Sequence, residues 1–346
     1  MPHAKVSAAD RPWKRLLLAA LLLPPLLALA AATVAAQDIR FFRIGTGSTA
    51  GTYFPVGGLI ASAISSPPGS RDCDRGGSCG VPGLVAVAQS TRGSVDNVRQ
   101  IEDGALESGF SQSDVAYWAF NGEELFADGG PLKSLRAIAN LYPETLHLVV
   151  RADAGVKSVA DIRGKKISLD RPGSGTRVDA LLVLKAFGIS EEDLEVFSLG
   201  SGAAAEALSE AEIDGFFFVA GTPAVAVLEL AEGALVDLVP ISGPEVDALL
   251  ADRPFFARQT VPVGTYPGIS AIETLSVGAQ WLVSDKVSEE EVYEITRALW
   301  HENTHILLEK GHPKGSQVVI DKALDGIGIP LHPGAERYYR EAGLLK

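Results

Sequence analysis

The chain has 346 residues, 47% of them apolar, and carries 43 Asp+Glu against 30 Lys+Arg for a formal charge of −13. This acidity excludes nucleic-acid binding by electrostatics, and it gives no long-range help to an anionic ligand, which would have to be held by local dipoles and hydrogen bonds. The apolar share is ample for a sizeable core.

Lys5, Arg11, Lys14 and Arg15 precede the apolar run Leu16 to Ala30, which leads to Val34-Ala35-Ala36. That order reads as a secretory signal peptide over residues 1–36, cut between Ala36 and Gln37, and Pro24-Pro25 in mid-run argues against a membrane anchor. A soluble exported protein is expected, with a periplasmic location. The remaining length suggests two lobes, each with its own core.

Residues 40–64, RFFRIGTGSTAGTYFPVGGLIASAI, place a short apolar strand before a Gly/Ser/Thr turn and a helix. Val56, Leu59, Ile60, Ala63 and Ile64 have the spacing of one buried helical stripe. Three readings of the turn stand side by side. Gly45, Gly47 and Ala50 fit a dinucleotide fingerprint, but the next strand arrives late and ends in Gln89-Ser90-Thr91 with no acidic residue. A tight turn serving packing alone is the second. An anion cradle of backbone N–H groups and hydroxyls is the third, and later turns of the same chemistry favour it.

Cys73 and Cys79 flank Asp74-Arg75-Gly76-Gly77-Ser78 within a Pro/Gly loop and read as a disulfide in an oxidising compartment. Leu84 to Ala88 is the next strand, and Ser94 a candidate cap for a helix carrying Val95, Val98 and Ile101. A third junction lies at 108–120, with Ser111, Gln112, Ser113 and Asp114 in its turn. Strand, turn and helix in succession imply a parallel α/β sheet.

The pattern then repeats. Leu146 to Val150 and Lys166 to Leu169 read as strands, and the turn Pro172 to Thr176 leads to a helix bearing Val178, Leu181 and Leu182. Gly215 to Val219 runs into Ala220-Gly221-Thr222-Pro223 and another helix. Thr274 to Val283 reads as a return strand after a Pro/Gly-rich loop, and a long helix follows from the Ser288/Glu291 capping box to near Gly311.

Gly109-Phe110-Ser111-Gln112-Ser113 approaches a nucleophile elbow, but Ser stands where the bend needs Gly, and no His is tied to an Asp by a local pattern. His301 and His305 share a helical face without a third ligand, so they read as a solvated or packing pair. No enzyme activity, no metal site and no cofactor are expected. Tyr53 is the best ligand-contact candidate among the aromatics; Trp118, Tyr142, Tyr266 and Trp281 read more readily as core or hinge. Arg92, Arg171 and Arg177 lie in or beside the turns, and a guanidinium there could clamp a carboxylate.

The stretches GTGSTAGTYFPVGG at 45–58, STRGSVDN at 90–97, ESGFSQSDVAYWAFNG at 107–122, the run 146–176 and DGFFFVAGTP at 214–223 together resemble the TAXI group of solute-binding proteins of TRAP transporters. The resemblance implies a type II two-lobed periplasmic-binding-protein fold, each lobe a mixed, mostly parallel sheet flanked by helices, with a hinge of crossing strands. Lobe 1 would comprise residues 37–148 with the return strand and C-terminal helices of 273–346, and lobe 2 residues 149–272. Carried over by motif, Gly47, Ser48, Thr49, Tyr53, Ser90, Gln112 and Ser113 would face Ser174, Gly175, Thr176, Gly221 and Thr222 across the cleft. The implied ligand is a small carboxylate, a glutamate-like amino acid or a dicarboxylic or keto acid. A monomer would deliver it to the transporter's membrane subunits, or, as an alternative, present it to a signalling receptor.

Overall fold

The computed structural model describes Met1 and residues 39–346; the predicted signal peptide lies outside the described residues. One ten-stranded sheet runs through it. Its strands are β1 (Arg40–Gly45), β4 (Leu84–Gln89), β5 (Ser108–Gln112), β6 (Leu135–Arg151), β7 (Lys166–Ser168), β8 (Glu195–Phe197), β9 (Gly215–Ala220), β10 (Val236–Val239), β11 (Ala257–Val261) and β12 (Ile272–Ser284). A separate two-stranded pair, β2 (Ser65–Ser66) and β3 (Val81–Pro82), carries the cysteine insertion.

The order along the sheet is β4-β1-β5-β12-β6-β9-β7-β8. The outer groups are parallel, β4 with β1 and β5 on one side and β8 with β7 and β9 on the other. The two long central strands are antiparallel to each other and to their neighbours. Chain leaves the first side along β6 and returns along β12, with residues 152–271 between them. Buried clusters accompany each side, one around Phe42, Ile60, Trp281 and Tyr339, another around Leu148, Ile167, Leu184 and Phe217.

The helices are α1 (Tyr53–Ile64), α2 (Ser94–Glu102), α3 (Ser113–Asn121), α4 (Gly175–Ala186), α5 (Ser201–Ser209), α6 (Val225–Glu232), α7 (Pro244–Asp252), α8 (Glu289–Leu299), α9 (Glu302–Gly311) and α10 (Pro333–Glu341). Among the described residues no helix is long and apolar enough to cross a membrane.

Several expectations are corrected. β6 is 17 residues long and begins at Leu135, eleven residues before the predicted start. The predicted long helix is two, α8 and α9, because His301 turns extended and caps the second through Nδ1, which accepts from the Asn303 N–H at 3.1 Å. The predicted turn at 111–114 is absent, since α3 starts directly on the last strand residue of β5. Cys73 and Cys79 form the expected disulfide.

Candidate functional site

Helices begin where strands stop at the carboxyl ends of the parallel groups, and four of those beginnings converge on one cavity. Gly51, Thr52 and Tyr53 come from the start of α1, Gly93 and Ser94 from α2, Ser174, Gly175 and Thr176 from α4, and Ser201 from α5. The first N–H groups of a helix have no partner inside it, so each start presents donors and a positive partial charge.

Two side chains hold the loops in place. Asn97 is fully buried, donates from Nδ2 to the Thr46 and Phe110 carbonyls at 2.7 Å each, and accepts from the Thr91 hydroxyl at 2.7 Å. It thus ties the ends of β1 and β5 to the turn before α2. Thr52 accepts from the Gly221 N–H at 3.0 Å and joins α1 to the end of β9.

The cavity has a volume of about 50 Å³. Glycines leave room for it where side chains crowd in. A Cβ on Gly175 would sit 1.5 Å from Gln112 Oε1, so Gln112 can lie across the start of α4 only because that residue is Gly. Gly200 likewise lets the Arg171 guanidinium approach, a Cβ there being 2.9 Å from Nε.

Arg171 Nε and Ser201 Oγ are buried without a hydrogen-bond partner. Both residues line the cavity. A buried donor left unpaired costs on the order of 1–3 kcal/mol, so an acceptor placed in the cavity would gain from both. A carboxylate, with two acceptor oxygens, matches these donors.

Glu144, on β6, is the acidic counterpart. Tyr53 donates its hydroxyl to Glu144 Oε2 at 2.5 Å. Burial raises the Glu144 carboxyl to about 8, against the pull of the Tyr53 hydrogen bond and the Lys314 ammonium. Asp170, whose carboxyl accepts from the Arg171 N–H at 2.6 Å, is lifted by burial to about 6. At neutral pH Glu144 is therefore mostly uncharged, while Asp170 is mostly ionised and lies 4.0 Å from Arg171 Nε.

Of the residues expected at the site, Gly47, Ser48, Tyr53, Gln112, Ser174, Gly175 and Thr176 line this cavity. Thr49 is exposed on the turn. Ser90 turns back to donate to the Gly47 carbonyl at 2.8 Å and faces an outer recess with Arg92 and Arg171. Ser113 accepts from the Gly278 N–H at 3.3 Å and lines a separate groove with Asn140, Tyr142 and Phe255. Gly221 packs on Thr52 and Lys314, and Thr222 lies 3.4 Å from His147 Nε2. Adjacent residues at a strand end point to opposite faces, which separates Gln112 from Ser113.

Among the arginines, Arg92 and Arg171 line the cavity. Arg177 pairs with Glu191 at 2.5 Å, outside the cavity. Tyr266 is buried and bonds His147 Nε2 at 3.0 Å while accepting from the Ala224 N–H, a packing role away from the cavity. Glu144, Asp170 and Ser201 escaped the sequence reading. Only Ser201 carried a signal, a Gly-Ser-Gly before a run of small helix formers.

MatC from Rhodopseudomonas palustris, whose structure holds bound malate, superposes with a TM-score of 0.52 at 14% identity, over 88% of this chain and 97% of its own. A protein from Bordetella bronchiseptica RB50 superposes with a TM-score of 0.51 at 16% identity, over 88% of this chain and 82% of its own. The periplasmic sulfonate-binding protein SsuA from Methylobacillus flagellatus KT gives 0.44 at 14% identity, over 89% and 88%. The likeness is one of fold, a mixed α/β architecture with a central sheet flanked by helices. The profile of the NMT1-like family matches residues 44–343, from β1 through α10, and the chain belongs to that family.

Proposed function

We propose that the protein is an extracytoplasmic solute-binding protein, not an enzyme, that captures a small carboxylate in the cavity and hands it to the membrane subunits of a TRAP-type transporter. The ligand class is a glutamate-like amino acid or a dicarboxylic or keto acid. The observation that carries this reading is the convergence of four helix starts with the unpartnered Arg171 Nε and Ser201 Oγ on one small cavity. Each helix start favours a neighbouring negative charge by about 0.3–1 kcal/mol, and more where water is excluded. Such a site holds a carboxylate in a protein whose overall charge repels it.

Membership of the NMT1-like family and a fold shared with a malate-bound protein support solute binding. The motifs of the TAXI group support the TRAP partnership. In this reading residues 37–148 and 273–346 form one lobe and 149–272 the other, with β6 and β12 as the hinge, and the cavity is the closed cleft between them. A volume of about 50 Å³ corresponds to roughly four waters at 10–15 Å³ each, which limits the closed state to a compact ligand. The protein would act in the periplasm as a monomer after loss of residues 1–36.

The test is a thermal-shift screen of the chain from Gln37 against amino acids and two- to six-carbon organic acids. A ligand at 100 times its Kd stabilises by about 2.7 kcal/mol, a plainly raised midpoint. One responding carboxylate supports the reading. A response that survives Ser48→Trp and Thr176→Trp places binding elsewhere, and a flat panel on folded, ligand-stripped protein rejects the carboxylate class.

A further inference from the structure

Asp114, in the first turn of α3, and Asp179, in α4, are both fully buried. The two carboxyls adjoin closely enough that each shifts the other's protonation. The helices belong to opposite sides of the sheet: α3 follows β5, α4 follows β7, and β12, β6 and β9 stand between those strands.

Two ionised carboxylates cannot hydrogen-bond to each other, because each only accepts hydrogen bonds. Asp179 Oδ1 is buried with no donor, and the Asp114 carboxyl draws only on the N–H groups of Asp114 and Val115 at its own helix start. One proton held between the pair supplies the missing donor. The remaining oxygen, Asp179 Oδ2, accepts from Gln112 Nε2 at 2.8 Å. Gln112 itself lines the cavity, so the pair lies one side chain behind the ligand.

We propose that Asp114 and Asp179 form a one-proton latch between the two sides of the molecule, so that closure over the cavity requires that proton and weakens as pH rises. The proposal rests on the two-lobe reading above and adds the regulation of that same site.

The surrounding charges favour retention of the proton. Arg253 faces Asp114 from the end of α7, but it is engaged by Glu124 at 2.7 Å and Asp252 at 3.1 Å and lies over the Trp118 ring. Glu144 on β6 faces both carboxyls and adds negative character when ionised. Lys314, the cation that acts on Glu144, donates to Gln317 at 3.0 Å. Gln112 on β5 is neutral. Burial lifts Asp114 to about 6 and Asp179 well above the carboxylate range. As pH rises through that range the shared proton leaves to solvent and two buried negative charges are left in contact. Separation of the two sides rehydrates them. Above the range, closure gains one proton and ligand affinity falls by about tenfold per pH unit.

The experiment is a distance measurement on the ligand-free full chain, with spin labels at Asp103→Cys and Glu192→Cys, exposed positions on either side. The native cysteines are joined to each other and do not react. The expected result is a short-distance population that shrinks from pH 5.5 to pH 8.5. Asp179→Asn should hold it constant, because its amide accepts from Gln112 and donates to Asp114 at every pH. Asp114→Asn, which supplies a permanent donor from the other partner, gives the same test should the first variant fail to fold. A distribution that ignores pH, or a variant that folds and still responds like the parent, overturns the latch. A pH-dependent distribution that no carboxylate alters supports the latch and rejects the ligand reading instead.

Discussion

Tyr53 gives its hydroxyl proton to Glu144 at 2.5 Å, across 91 residues of sequence and inside the cavity. The first residue of α1 is thereby fixed to the middle of β6. The helix start that was most legible in the sequence is oriented by an acid that was not legible at all.

Glu144 makes stability fall with rising pH. Its carboxyl is lifted by burial from the ordinary 4.5 to about 8, so between those values the folded chain holds a proton that the unfolded chain has lost. The native state binds more protons, and the slope of unfolding free energy against pH is negative over that window. Urea unfolding from pH 5 to pH 9 checks this. Glu144→Gln is expected to flatten the decline, while the parent loses stability steadily to about pH 8.

His147 acts on the acid side. Burial lowers it to about 4 from 6.5, and its ring bonds the Phe218 carbonyl at 3.2 Å and the Tyr266 hydroxyl at 3.0 Å. Because the folded chain binds fewer protons than the unfolded one between those values, this contribution is present above pH 6.5 and is lost as pH falls to 4. The same unfolding series, extended to pH 4, is expected to show an acid limb that His147→Asn reduces.

Gly175 and Gly58 form a contrasting pair. Gly175→Ala places a methyl 1.5 Å from Gln112 Oε1, whereas nothing lies within 4 Å of a Cβ on Gly58, which is exposed on α1. The first substitution should abolish the ligand-induced thermal shift. The second should stabilise the chain by about 0.5–1 kcal/mol through helix propensity, with the shift retained.

Arg171→Met removes the guanidinium whose Nε is buried without a hydrogen bond, 4.0 Å from Asp170 Oδ1, beside the cavity. A charge-assisted hydrogen bond is worth about 1.5–3 kcal/mol, so affinity for the responding carboxylate should fall by roughly 10- to 150-fold. Calorimetric titration measures it. Arg177→Met, which breaks the pair with Glu191 outside the cavity, should leave affinity within about twofold of the parent, since Arg177 does not line the cavity.

The Cys73–Cys79 bond closes a loop that packs on α9, where Asn303 Nδ2 meets Cys79 Sγ at 3.1 Å. Neither cysteine lines the cavity. Replacement of both by Ser should cost about 2 kcal/mol in the chain-entropy account, read as a lowered urea midpoint, with ligand response unchanged.

Local pattern accounts for much of the fold. Apolar runs that stop at Gly/Ser/Thr turns marked β1, β4, β7 and β9, and the turns at 45–53 and 172–176 were readable as helix starts because their chemistry is complete within a few residues. The inner face of α4 is not legible from its own residues. Val178, Leu181 and Leu182 pack partly buried against the cores, while Asp179, Ala180, Val183 and Leu184 are the buried residues. Asp179 faces inward because Gln112 and Asp114 meet it from 65 or more residues away, and no window on α4 contains them.

The sequence by itself determined the alternation of strand and helix, the Gly/Ser/Thr turns at the helix starts and the disulfide, since each depends on backbone freedom or pairing over a short span. Tertiary structure alone decided which turns share a cavity, that Ser90, Ser113, Gly221 and Thr222 face elsewhere, and that Glu144, Asp114 and Asp179 are buried. The physical reason is that a carboxyl on a strand or helix reads as solvent-facing until the crossing of β6 and β12 brings distant donors against it and takes the water away.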